Sequence, residues 1–147
     1  MIEEKLTSLG ISLPIPPAPA GSYLPVVVSG NLAFVAGQIP MEDNDVKFKG
    51  RVVSIQSGQE AARLCMLNAL AHLKSSLGSL DKVKRIIKIT GFVNCDHSFT
   101  EQAKVINGAS DLLVKIFGEE GKHTRVAIGV SSLPLNSSLE LELIVEV

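Results

Sequence analysis

The chain of 147 residues contains no tryptophan and a single tyrosine, Tyr23. Few aromatic faces are therefore available to stack the bases of single-stranded RNA or DNA. Charge of either sign is not in excess: 14 Lys and Arg stand against 15 Asp and Glu, for a formal net charge of -1. Such a chain has no field to draw in nucleic acid or an acidic membrane surface, and neither is expected as a partner. No run approaches the roughly 20 apolar residues of a membrane span. The N-terminus, Met1 to Leu6, lacks the basic region and long apolar stretch of a secretory signal. Two cysteines, Cys65 and Cys95, are too few for a disulfide framework and fit a reduced, cytoplasmic compartment. Cys-x-x-Cys and His-Glu-x-x-His are absent, and His72, His97 and His123 share neither a strand nor a helical i, i+4 spacing, so no metal site is expected. Gly118-Glu119-Glu120-Gly121 follows a helix and carries two carboxylates that would repel phosphate, which makes it a helix stop and turn. No Gly-x-Ser-x-Gly run points to a serine nucleophile, and Cys65 reads as an inert buried thiol.

What is present is the material of one folded domain: 46% apolar and 20% charged residues over a length that supports its own core. Residues Ile2 to Leu9 predict a short helix stopped by Gly10. Pro14, Pro16, Pro17 and Pro19 then exclude helix, so residues 1–20 read as a helix followed by a stiff extended arm. Two strand-like runs, Pro25–Ser29 and Leu32–Gly37, flank the hairpin signal Gly30-Asn31. A polar loop follows Gln38-Ile39-Pro40 and reaches about Val53. The stripe Ala61, Leu64, Cys65, Leu67, Asn68, Leu70, Ala71 and Leu73 predicts a helix over Ser57–Leu77, stopped by Gly78. Asn68 on that stripe reads as a satisfied polar group at a packing edge.

Val83–Asn94 predicts a strand with Ile87, Ile89 and Val93 on one side and Lys88, Thr90 and Phe92 on the other. A second long helix is expected over Phe99–Phe117, weakened by about 1 kcal/mol at Gly108. Asn107-Gly108 reads as a local break in it, or as a backbone carbonyl offered to a ligand. Tyr23 is a half-buried anchor or a hydroxyl reaching a pocket. The order helix, strand, strand, helix, strand, helix, strand, strand predicts a single α+β domain: a mainly antiparallel sheet with two long helices on one face.

The densest signal is at the end of the chain. Arg125 stands eight residues before Leu133-Pro134 and fifteen before Glu140. Both flanks alternate with period two: Val126, Ile128 and Val130 oppose Arg125, Ala127 and Gly129, and Leu139, Leu141, Leu143 and Val145 oppose Glu140, Glu142 and Glu146. If Pro134–Ser138 turns the chain back as a hairpin, Ser132 nears Leu139, Arg125 faces Glu146, and the arginine shares a face with the glutamates. Two readings follow. One is an exposed salt bridge worth at most about 1 kcal/mol; the other is a guanidinium fork open to a planar carboxylate ligand. In that register Glu140 opposes Ser131, near 20 Å from Arg125 at roughly 3.3 Å per residue. The two charges then meet at one small ligand only if they come from different chains, or if the register differs.

Taken together, these residues resemble the YjgF/RidA family, trimeric proteins of chorismate-mutase-like fold. The resemblance runs through Gly21-Ser22-Tyr23, Gly30 to Pro40 with its Gly37-Gln38-Ile39-Pro40 element, the helix carrying Asn68, Val83–Val93, Arg125, Leu133-Pro134 and Leu139-Glu140-Leu141-Glu142. The proline-rich arm, Gln59 to Cys65 and Val105 to Ser110 resemble a divergent branch labelled endoribonuclease L-PSP. Ala36 and Ala127 stand where the typical family deaminase has a serine and a cysteine.

The resemblance implies hydrolysis of reactive 2-enamino and 2-imino acids to 2-oxo acids and ammonia, without cofactor or metal, in pockets between the subunits of a homotrimer. It assigns Arg125 to the substrate carboxylate and Glu140 to the attacking water. The backbone N–H of Gly37 and the carbonyl of Asn107 would bracket the substrate, and Tyr23 would close the pocket. Two other functions are to be weighed against it. One is a non-catalytic binding or regulatory module for 2-oxo or amino acids. The other is an endoribonuclease acting as a translation inhibitor, which the slight negative charge and the lack of paired histidines disfavour.

Overall fold

Leu139, Leu141, Leu143 and Val145 alternate with Glu140, Glu142, Ile144 and Glu146, and the first four are buried. A strand that is apolar on one face and mixed on the other can lie inside a sheet covered by helices on one side. That is the position of β7 (Leu139–Glu146) in a computed structural model of the chain, which describes residues 1–19 and 21–147. Ala20, the last residue of the expected arm, lies outside the described residues. The sheet has the order β1-β2-β7-β5-β6, with β1 (Val26–Ser29), β2 (Leu32–Gln38), β5 (Arg85–Asn94) and β6 (Thr124–Val130) around β7. Every pairing is antiparallel except β5 with β6, which is parallel.

The helices α2 (Ile55–Leu77) and α3 (Gln102–Phe117) pack on one face and enclose one continuous core with the sheet. The predicted α+β class is the observed one. Ser54 caps α2 through its hydroxyl, which accepts from the Ser57 N–H, and Gly78 ends the helix in the left-handed region. The short α1 (Ile2–Ser8) is anchored by exchange of carboxylates. Asp81 accepts from the N–H groups of Ile2 and Glu3, while Glu3 accepts from Leu80 N–H and pairs with Lys74. The polar loop contains a small hairpin, β3 (Met41–Glu42) with β4 (Asp45–Val46), and an isolated bridge joins Lys49 to Ser137.

Three expectations need correction. First, β6 and β7 do not form a hairpin, because β5 lies between them. Residues 131–138 cross the end of β5, where Asn94 N–H and Nδ2 bind the carbonyls of Ser138 and Ser137. Glu146 therefore pairs with Leu32 and Arg85, and Glu140 with Phe92, rather than with Arg125 and Ser131. Second, a bulge between Ile86 and Lys88 shifts the early parity of β5, so Ile86 rather than Ile87 joins Ile89 and Val93 in the core. Third, α3 is unbroken at Asn107-Gly108. The Asn107 carbonyl thus lies within the helical ladder.

Gly108 has a packing reason. A Cβ there would overlap the Gln59 carbonyl and stand 2.7 Å from Gln59 Cα, so α2 and α3 touch backbone to backbone at this point. Gly108→Ala should destabilise the protein by about 1–3 kcal/mol through forced separation of the helices, against a helix-propensity gain of about 1 kcal/mol. Urea unfolding measures the balance, and an unchanged or higher midpoint would show that the helices part freely.

Candidate functional site

Arg125 lies on the edge strand β6 and pairs with Ile89, whose side chain is fully buried beneath the helices. The arginine therefore points to the helix side of the sheet. There its Nη1 donates to Asn107 Oδ1 at 2.8 Å and to Ser110 Oγ at 3.1 Å, both on α3. The expected salt bridge to Glu146 is not formed: Glu146 accepts instead from Asn31 Nδ2 at 3.3 Å. Among the described residues no carboxylate lies within ion-pair distance of Arg125. A half-buried guanidinium held only by neutral groups keeps its full charge for a ligand.

The period-two reading of β6 is correct, but its faces are the reverse of the usual arrangement. Arg125 and Ala127 are directed to the helices, and Val126 and Ile128 outward, at 41% and 43% exposure.

Glu140 belongs to the other face. It pairs with Phe92, three residues along β5 from Ile89, and three residues is an odd number of pleats. Arg125 and Glu140 thus lie on opposite faces of the sheet, not on one. With strands about 4.8 Å apart and a rise of about 3.3 Å per residue, their Cα atoms are about 14 Å apart. Beside Glu140, β2 carries a bulge: Ala36 and Gly37 fall between the pairs Val35–Leu143 and Gln38–Leu141. The bulge brings Gly37 against the Glu140 carboxylate so closely that a Cβ there would overlap its oxygen and stand 3.0 Å from Cδ. Burial, and secondarily the Glu142 carboxylate, raise the Glu140 pKa from its ordinary value.

Tyr23 and Gly37 line a common cavity of about 110 Å³ with Gln38, His72 and the prolines of the arm. His72 is buried there and its pKa is lowered by burial, which favours the neutral imidazole. The predicted residues thus form two groups, Arg125 with Asn107 at the sheet edge, and Glu140 with Gly37 and Tyr23 around the β2 bulge. Asn68 supports the second group from below, donating to the carbonyls of Met41 and Ile39 at 2.9 and 3.4 Å. Cys65 is completely buried, and burial pushes its thiol pKa well up. No cluster of three potential metal ligands occurs among the described residues.

Two residues of the first group were missed as site residues in the sequence reading, Ser110 and His123. Ser110 Oγ is 2.9 Å from His123 Nε2, and His123 Nδ1 is 2.6 Å from the Gly121 carbonyl. The signal existed: Asn107 and Ser110 are i, i+3 on a helix, and His123 and Arg125 are i, i+2 on an extended segment, so each pair shares a face.

Two helices over one face of a five-stranded mixed sheet, with charged groups divided between its edge and its outer face, define the chorismate-mutase-like α+β class. Residues 3–147 match the family model described as "YjgF/chorismate_mutase-like, putative endoribonuclease", and the chain belongs to this YjgF/RidA family. It is 43% identical to protein TCP17 of Trypanosoma cruzi, covering 99% of this chain and 93% of that protein. Among solved structures, protein Atu1372 of Agrobacterium tumefaciens superimposes with a TM-score of 0.91 at 45% identity, covering 99% of this chain and 92% of the other. A putative endoribonuclease of Shewanella oneidensis superimposes with a TM-score of 0.95 at 35% identity, covering 100% and 99%.

The raised pKa of Glu140 has a consequence for stability. The fold holds the carboxyl's proton more tightly than the unfolded chain does, so this contribution is present at low pH and is withdrawn as pH rises through the folded pKa. Glu140→Gln, which cannot ionise, should melt above wild type at mildly alkaline pH, and the gap should close in mild acid. Calorimetry across that range tests this; a lower melting temperature for the variant at alkaline pH would count against burial as the cause.

Proposed function

We propose that the protein hydrolyses small 2-imino and 2-enamino acids to 2-oxo acids and ammonia, at sites assembled between the subunits of a homotrimer. One observation carries this reading. A guanidinium without a carboxylate partner and a carboxyl of raised pKa lie on opposite faces of one sheet, about 14 Å apart by strand geometry. Each is half of a site for a substrate with a carboxylate next to a C=N carbon, and only a second chain can bring the halves together. The outer face of the sheet suits such assembly, since Val27, Phe34, Val126 and Ile128 are all more than 40% exposed on it.

In this site Arg125 takes the substrate carboxylate and orients the imine carbon. Glu140 from a neighbouring subunit accepts a proton from water as the oxygen adds to that carbon, giving a tetrahedral carbinolamine. The substrate reacts as the N-protonated imine, so the carbinolamine carries an NH2 group. The proton held by Glu140 passes to it, and the C–N bond breaks as the hydroxyl proton returns to the carboxylate. The ammonia released takes that proton away as ammonium, leaving the 2-oxo acid and an ionised Glu140. Gly37 leaves room for the Glu140 carboxylate on the bulge, and a bulge frees one residue's backbone from the ladder for a ligand. Tyr23 closes the far side. Asn107 acts through its side chain, by holding Arg125, rather than through its carbonyl. No basic field supports an RNA substrate, as the net charge is -1.

Ammonia release from 2-iminopropionate generated in the assay tests the reading. Arg125→Ala should lower kcat/KM about a hundredfold, the loss expected for a charge-assisted contact of roughly 3 kcal/mol. Arg125→Ala and Glu140→Gln subunits, each strongly impaired alone, should regain about one quarter of wild-type activity after mixed reassembly, because one random neighbour pair in four supplies both intact residues. No recovery would rule out a site shared between chains. Tight binding of 2-oxo acids without any turnover would instead identify a binding module.

A further inference from the structure

The contacts around Arg125 form a directed chain. The Gly121 carbonyl can only accept, so the His123 nitrogen 2.6 Å away, Nδ1, carries the ring proton. The Nε2 of a neutral His123 is then an acceptor. Ser110 has one proton, and the acceptor 2.9 Å from its Oγ is that Nε2. Its lone pairs are left to receive Arg125 Nη1 at 3.1 Å. Nη1 has two hydrogens; Asn107 Oδ1 takes the other at 2.8 Å. The donors that remain are Nε–H and the two on Nη2, and they define one edge of the guanidinium able to grip a carboxylate with two parallel bonds.

We propose that Ser110 and His123 are positioning residues of the carboxylate site, and that they lock the Arg125 guanidinium so that its Nε–Nη2 edge faces the ligand. This rests on the carboxylate-binding role of Arg125 proposed above. A carboxylate on Nη1 would also lock the side chain, but it would cancel much of the charge needed for binding. Neutral Asn107 and Ser110 fix the direction and leave the charge intact. A serine in mid-helix can turn its hydroxyl back onto the carbonyl one turn earlier. His123 draws the proton the other way and keeps the oxygen aimed at the guanidinium. Ser110 is 9% exposed, so it acts on the ligand through Arg125 rather than by touching it.

Two measurements test this. The first uses the unliganded wild-type protein. Long-range proton–nitrogen correlation NMR above the imidazole titration should show His123 as the Nδ1–H tautomer. The Nε2–H tautomer would overturn the relay, whatever the protein binds.

The second is pyruvate affinity by calorimetry. Ser110→Ala and His123→Phe should each weaken pyruvate about tenfold, the scale of one hydrogen bond to a charged group, and Ser110→Thr, which keeps the hydroxyl, should recover to within about twofold of wild type. Unchanged affinity in the Ala and Phe variants, with Arg125→Ala defective, would overturn the positioning role alone. Equal pyruvate binding by wild type and Arg125→Ala would defeat the carboxylate reading and this inference with it. Should Ser110→Ala not fold, His123→Phe and the tautomer decide the matter.

Discussion

The seating of β7 in the middle of the sheet is the constraint on which the molecule depends. Leu139, Leu141, Leu143 and Val145 enter the core beneath α2 and α3, each at 1% exposure or less. Turning any one of them outward would turn all four, because the pleat has period two. Burial of full aliphatic side chains contributes roughly 1.5–3 kcal/mol each, so the register is held by several such terms at once. The outward position of Glu140 follows from this. No local preference of the glutamate is needed; the leucines on either side assign it.

The same pleat governs Arg125 from the opposite direction. On β6 the inward positions hold Arg125, Ala127 and Gly129, and the outward ones Val126 and Ile128. An inward arginine is tolerable because β6 is the edge strand, and because α3 presents Asn107 and Ser110 to its Nη1. Polar groups of this kind, when buried, need partners, and the helix provides them. Small residues elsewhere make that approach possible. Gly108 lets α3 lie against the backbone of α2, on the same turn that carries Asn107. The contact that fixes the helix pair therefore also sets the distance from α3 to the arginine.

The two halves of the proposed site differ in how they hold charge. At the edge, a cation is fixed by neutral groups and keeps its field. At the bulge, a carboxylate is partly withdrawn from water beside Gly37, and its affinity for a proton rises. One half is suited to hold an anion and the other to move a proton, and the sheet between them prevents mutual neutralisation. The chain belongs to the YjgF/RidA family, and the chemistry proposed for it rests on these two environments.

Much of the architecture was legible because its signals are local. The helical stripe from Ala61 to Leu73, the prolines of the arm, the Gly30-Asn31 turn and the alternation in β6 and β7 each report on neighbours within a few residues. The class of fold follows from their order. Arg125, Glu140, Gly37 and Tyr23, the residues of the proposed site, were singled out by residue type and by family resemblance. What the chain alone did not disclose is non-local. An eight-residue link between two alternating runs reads as a hairpin, and nothing in either run announces that β5 enters between them by parallel pairing with β6. That insertion placed the arginine and the glutamate on opposite faces and sent Glu146 to Asn31. It also gave Arg125 the company of Ser110 and His123. Strand order is decided by which complete set of apolar faces can be buried together under two helices, a sum over the whole molecule that no single segment contains.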